Sequence, residues 1–217
     1  MKQRVFANLS QDWIIFIIVS SIVVFLLIAI AIIIPVFKKI HQNRFKEYYY
    51  KKINRIVLDN DYYLINNFVF KNEKNRAQKV NHIIFGEKYI YLIFDYYYEG
   101  DLAGDIRDKS LIFYPFKKNN DAKKKYTDNP VLVASSAVQS LSYITLIQKS
   151  MFIGIVLIND EVNCSIASDS SQFYVIQRKR LKALIKAIES RDVSKINEEQ
   201  LAKVVKDFAR INRKKKK

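Results

Sequence analysis

Little in this chain can staple it or punctuate it. There is one cysteine, Cys164, so no disulfide framework and no multi-cysteine metal site can be built within the chain. That fits a reduced, cytoplasmic setting. Cys164 lies among apolar and small residues and reads as a packed thiol without a redox role. Glycine and proline are scarce, at 4 and 3 residues. Nothing resembles a glycine-rich phosphate loop, a Ser-His-Asp set or a zinc motif. No internal repeat is present. Acidic residues are outnumbered, 21 against 37 Lys and Arg, which leaves a net charge of +16. The bias toward Lys, Asn, Ile and Tyr is the one an AT-rich bacterial genome imposes.

What is present begins with Trp13 to Phe37, a stretch without one charged residue. A spanning helix needs roughly 20 apolar residues to cross about 30 Å of hydrocarbon, and a helix satisfies its own backbone hydrogen bonds there. A cleaved signal peptide has a shorter apolar region and a small-residue cleavage site. This run ends instead in Pro35, Val36, Phe37, Lys38 and Lys39. The stretch therefore reads as an uncleaved transmembrane anchor over 13–37, after a short extracytoplasmic tail, 1–12. Lys2 and Arg4 precede it. Lys38, Lys39, Arg44, Lys46, Lys51, Lys52 and Arg55 follow it. That asymmetry predicts a cytoplasmic C-terminal part at the plasma membrane.

A basic chain at a membrane surface has two natural polyanionic partners: anionic lipid headgroups and nucleic acid. The candidate binding residues are Lys38 and Lys39, then Lys117, Lys118, Lys123, Lys124 and Lys125. Arg178, Lys179 and Arg180 follow, with Arg213 and Lys214 near the end. An unidentified protein partner is a further candidate.

Residues 38–217 have the length of one domain and a tail. Arg44–Leu58 has helical spacing, and Asn60-Asp61 ends it. Tyr62–Phe70, Lys79–Phe85 and Tyr89–Tyr97 have strand composition, the last two as a hairpin around Gly86-Glu87. Gly100–Ile106 and Ser110–Tyr114 are expected to be shorter strands, and Lys117–Asp128 a charged loop. Pro130 opens a helix to about Lys149. Met151–Ile158 reads as a strand buried on both faces. Val162–Ala167 and Gln172–Ile176 are short strands, Lys179–Glu189 a helix, and Ser194 the cap of a last amphipathic helix. The expected class is α/β (α+β), with helices packed on one central mixed sheet.

The segment KVNHIIFGEKYIYLIFDYYYEGDLAG, followed by DNP opening a helix, resembles the nuclease-related domain, or NERD. That family is a branch of the restriction-endonuclease-like PD-(D/E)XK superfamily. Glu47 matches its helix glutamate. Val80, His82, Ile83 and Ile84 match its first strand, and Gly100, Leu102 and Gly104 match a G-x-I-x-G segment. Asn129-Pro130 matches its N-P helix start. The resemblance covers roughly residues 44–160 and implies a restriction-endonuclease-like domain over 38–176, with C-terminal helices and a basic tail over 177–217.

It also implies where the chemistry belongs, and there the residues depart. Family members hold a divalent metal with two carboxylates and activate water with a lysine. The metal aspartate falls on Asn81, the glutamate on Phe94, the lysine on Tyr96 and the helix glutamine on Val133. Hard cations need charged oxygen ligands, and these positions offer none. The expected function is a catalytically inactive binding or scaffold module at the inner membrane face, with no cofactor. Two alternatives stand beside it. One is a Mg²⁺-dependent nuclease with a rearranged site using Asp95, which alternation turns away from the Phe94 side. The other is a structural protein assembling with other membrane proteins. His82 is expected to be structural, and Tyr96-Tyr97-Tyr98 to cover a sheet edge rather than stack nucleobases.

Overall fold

A computed structural model describes residues 11–72, 75–116 and 123–213. The fold is mixed α/β, and the chain divides into two compact units, Met1–Tyr48 and Tyr49–Lys217. The first helix, α1, runs over Gln11–Asp59. The sequence pattern suggested a separate helix from Arg44, but no helix breaker stands between Phe37 and Arg44, and one 49-residue helix results.

Within the first unit, Trp13–Ile33 is long and apolar enough to cross a membrane, with a mean hydropathy of 3.3 and none of it buried. The hydroxyls of Ser20 and Ser21 donate back to the carbonyl of Ile17, at 3.1 and 2.7 Å. These bonds hide their polarity inside the helix.

The second unit holds two sheets rather than the single one expected. The first has the order β1-β2-β3-β7-β9, from strands Tyr63–Lys71, Ala77–Phe85, Ile90–Asp95, Phe152–Ile158 and Phe173–Gln177. The β1, β2 and β3 pairings are antiparallel; β3, β7 and β9 run parallel. The second has the order β6-β5-β4-β8, from Lys125–Asp128, Ser110–Pro115, Gly100–Asp105 and Cys164–Ala167. Part of the expected charged loop is therefore strand β6. Its sequence, KYTD, carries no apolar alternation because only one side of it pairs and little of it is buried.

Helix α2, Pro130–Thr145, packs on the first sheet through Ala134, Ala137, Val138 and Leu141. It stops four residues short of Lys149 because Leu146 takes a left-handed φ of 58°. Gly154 of β7 lets it approach: a Cβ there would lie 3.3 Å from that of Ala134 and 2.6 Å from the Phe173 ring. Helix α4, Glu198–Arg213, adds Phe208, whose ring lies 5.4 and 5.3 Å from those of Phe68 and Phe85. Its cap is Asn197 rather than Ser194, since the Asn197 side chain accepts from the Glu199 amide at 3.0 Å.

The opposite face of the first sheet carries Tyr91, Ile93, Ile153, Ile155 and Leu157, all buried. Tyr49, Ile53, Ile56 and Val57 from the end of α1 cover it, with Leu181, Ile185 and Ile188 of α3, Leu181–Glu189. The Lys182–Asp59 ion pair, at 2.7 Å, ties these two helices.

Candidate functional site

Three parallel strands, β3, β7 and β9, end on the same edge of the first sheet. In open α/β sheets that edge is where ligands bind. Here it gathers Asp95, then Asn159, Asp160 and Glu161, then Gln177 and Arg178.

Asn81, the position matching the metal aspartate, sits at a kink. Core-facing alternation switches phase on both strands there, between Ile65 and Phe68 on β1 and between Ile83 and Val80 on β2. Asn67 takes a left-handed φ of 53° in the same step. The β2–β3 ladder ends at the pair of His82 with Ile93. Beyond it, the Asn81 side chain accepts the Asp95 amide at 3.3 Å in place of a main-chain partner. Phe94 is 2% exposed and packs into the core toward the second sheet. Val133 lies on the exposed side of α2. The Glu47 side chain lies outside the described residues.

Asp95 points the other way, as strand alternation requires, and meets His82. Nε2 of His82 lies 2.9 Å from Oδ2 of Asp95, and Nδ1 lies 2.5 Å from Oδ1 of Asn66. An amide oxygen and a carboxylate oxygen both accept, so the His82 ring presents a nitrogen to an acceptor on each side. Both side chains are nearly sealed, at 8% and 7% exposure, and Oδ1 of Asp95 is buried without a hydrogen-bond partner among the described residues. Above them lies Tyr49, wholly buried, whose phenol burial pushes far above its ordinary value, with the Asp95 charge adding to the shift. This Asn66–His82–Asp95 line was not visible in the sequence, because its members lie 16 and 13 residues apart. The signal that could have found it is the hairpin register, which puts His82 and Asp95 on one face.

The rest of the edge is closed by its own polar groups. Arg178 pairs with Asp160 and stands 5.7 Å from the centre of the Tyr49 ring. It is engaged there rather than offered to a polyanion. Asn159 holds the main chain of Tyr98 twice, accepting from its amide at 2.9 Å and donating to its carbonyl at 3.0 Å. Gln177 donates to the carbonyl of Val162 at 2.7 Å. Among the described residues no three His, Cys, Asp or Glu side chains lie together as a metal site.

The tyrosines after β3 do not lie at a sheet edge. β3 is a central strand, and Tyr96 and Tyr98 stack at 6.1 Å as they lead the chain toward β4, with Tyr98 6.1 Å from Phe113 of the second sheet. Burial raises both phenols above their ordinary range. Tyr96 thus fills space between the sheets at the position matching the family lysine.

The frame residues have structural tasks. Asn129 caps α2, accepting from the Val131 amide at 3.0 Å, and donates to the carbonyls of Ile106 and Asp108 at 2.9 and 2.7 Å. Gly100 lies so close to β5 that a Cβ would fall 2.2 Å from the Tyr114 carbonyl oxygen. Gly104 adopts φ 138°, in the region where side chains are strained.

Of the basic candidates, Lys123, Lys124, Lys125, Lys179 and Arg180 are exposed. Lys117, Lys118 and Lys214, and the side chains of Lys38, Lys39 and Arg213, lie outside the described residues.

No family model and no curated protein matches the chain. Among solved structures, it is similar to that of AF1548, a protein of unknown function. The TM-score is 0.36 at 8% identity, over 74% of this chain and 78% of that one.

Proposed function

We propose that this chain is a membrane-anchored NERD-like domain that has lost nuclease chemistry and binds polyanions at the cytoplasmic face of the plasma membrane. The observation that supports this most is the fate of the carboxylate nearest Asn81. Asp95 stands on the opposite face from Phe94, held by His82 and roofed by Tyr49, and no group of three His, Cys, Asp or Glu side chains that could hold a metal is found among the described residues. The apolar helix supplies the anchor, the Lys and Arg excess after it supplies the orientation, and the net charge of +16 supplies the attraction.

The test uses the full chain in nanodiscs of neutral lipid. Duplex DNA and anionic vesicles should both bind at low salt, competing with each other. Affinity for DNA should fall with salt by a slope of about −0.9 per phosphate contacted. No Mg²⁺- or Mn²⁺-dependent cutting is expected. Cutting that Asp95→Ala abolishes would replace this reading with a rearranged nuclease. Absence of binding to either polyanion at low salt would remove the binding role.

A further inference from the structure

We infer that the outer face of the β5–β6 hairpin is a lipid-contact patch, built to seat on the anionic headgroup region of a bilayer. The inference rests on the membrane-anchored, polyanion-binding reading and names the surface and the partner.

Among the described residues, the second sheet is covered on one face only. Leu111 is fully buried and Phe113 packs against the core, so this parity of β5 faces inward. The opposite parity carries Ile112 and Tyr114, and Phe116 continues it. On β6, Tyr126 stands directly across from Ile112. Exposure is 69% for Tyr126, 52% for Phe116 and 41% for Tyr114. Large rings left this open on a folded domain mark a surface made for contact.

Charge decides the kind of contact. Lys123 and Lys124 are exposed beside this face, Lys125, across from Phe113, is exposed on the other parity of the edge strand, and none pairs with a carboxylate among the described residues. Of the acids on neighbouring β4, Asp105 is offset by Arg107, while Asp101, across from Tyr114, bonds a neutral amide and keeps its charge. Asp101 accepts the Asn163 amide at 2.8 Å, and Asp105 pairs with Arg107 at 3.0 Å. Asp128 lies at the far end of β6 from the lysines.

Single-stranded nucleic acid would also take lysines and rings, but it uses open ring faces for stacking. Here the ammonium of Lys124 lies 5.3 Å from the centre of the Tyr126 ring, over one such face. Phe116 has no polar handle and gains most by leaving water. Rings flanked by lysines match the headgroup boundary, where Tyr sits with its hydroxyl in water and lysine stems lie along apolar surface. A chain carrying a span-capable helix is also held where that boundary is the commonest polyanion.

The experiment uses the full chain with Trp13→Phe, which removes its one tryptophan, and Tyr126→Trp, which puts a fluorophore on the patch. The protein is reconstituted in vesicles whose lipids carry bromine on the acyl chains. With phosphatidylserine present, the indole should be quenched and blue-shifted, and added salt should reverse both changes. Neutral phosphatidylcholine vesicles should show neither. Replacing Lys123, Lys124 and Lys125 by Gln should lower the docked-to-undocked ratio about fivefold per lysine. Quenching equal in neutral vesicles, or none in anionic ones, would overturn the inference. So would quenching in neutral vesicles only on addition of a single-stranded oligonucleotide, which would make the patch a base-stacking surface. If the patch stays undocked while the same preparation still captures duplex DNA, the inference fails and the polyanion reading stands. If it captures neither, both fail.

Discussion

The two sheets of the second unit behave as opposites. Every residue of β7 in the five-stranded sheet is buried, whereas three of the four residues of β6 in the other sheet are exposed. The first sheet is sandwiched, with α2, α4 and the second sheet on one face and α1 and α3 on the other. The second sheet has a core side and an open side. Polar groups in the sandwiched sheet mostly meet one another, in the Asn66–His82–Asp95 line and around Asn159. Polar and aromatic groups on the open side are free to meet something else. Stability should therefore concentrate in the first region and binding in the second.

The sharpest way to break that division is at Asp95. Asp95→Ala leaves the His82 ring without its 2.9 Å partner inside the fold. Leaving a buried donor unpaired costs about 1–3 kcal/mol, and more for a charged group. Thermal unfolding of the full chain in detergent, followed by tyrosine near-ultraviolet dichroism, should show a loss larger than any substitution at Gly154 or on the open face produces. The double variant His82→Leu/Asp95→Leu should recover most of it, because apolar replacement of a whole buried pair is often neutral or better. Failure to recover would mean the pair itself, rather than its desolvation, holds the β1–β2–β3 kink together.

Next in size is Gly154→Val on β7. Its branches would collide with Phe173 and press on Ala134 of α2. Overpacking of this kind costs about 1–3 kcal/mol. The same readout should show a clear fall, and an unchanged midpoint would mean that α2 sits on the sheet more loosely than the geometry indicates.

The sequence disclosed the sandwiched sheet far better than the open one, for a physical reason. A strand buried on both faces writes itself as an apolar run, and FIGIVLI of β7 is one. Pro130 and its preceding Asn129 marked the start of α2 for a similarly local reason: the cap lies next to what it caps. β6 writes nothing, since KYTD is held only by pairing with β5. The division into two sheets was hidden because it depends on β4 pairing with β8, about 60 residues on, rather than with its neighbour β3. The site was half legible. The side chains at Asn81, Phe94 and Tyr96 could be read from the sequence, but what each of them does could not. Asn81 fills a missing ladder bond, Phe94 joins the core and Tyr96 stacks on Tyr98, and all three depend on long-range packing.

Alkaline pH offers a probe that reads the covered region. Tyr91 is pushed far above its ordinary value by burial first and by its 2.6 Å bond to Glu189 second, and burial also lifts Tyr62 to about 12. Below about pH 10 these phenols are protonated in the folded and unfolded chain alike. Above it the unfolded chain ionises while the folded one holds its protons, so the unfolded state binds fewer protons and stability falls as pH rises. Midpoints should drop steadily from about pH 10 upward. Tyr91→Phe should flatten that slope; a slope as steep as that of the parent chain would place the alkaline sensitivity elsewhere.

The smallest effect belongs to the open face, and it is the one that separates binding from stability. Tyr114→Ser and Tyr126→Ser remove rings that are 41% and 69% exposed. Surface substitutions of this kind move stability by about 0.5 kcal/mol or less. The unfolding midpoint of the double variant should stay within that margin of the parent, while its salt-reversible seating on phosphatidylserine vesicles is lost. The β5–β6 pairing has no need of those rings, since Leu111 and Phe113 hold the hairpin from the inner face. A large fall in stability would show that the rings act as a cross-strand clamp on Ile112, and the contrast between a sheet that holds the fold and a sheet that meets a partner would disappear at its most exposed point.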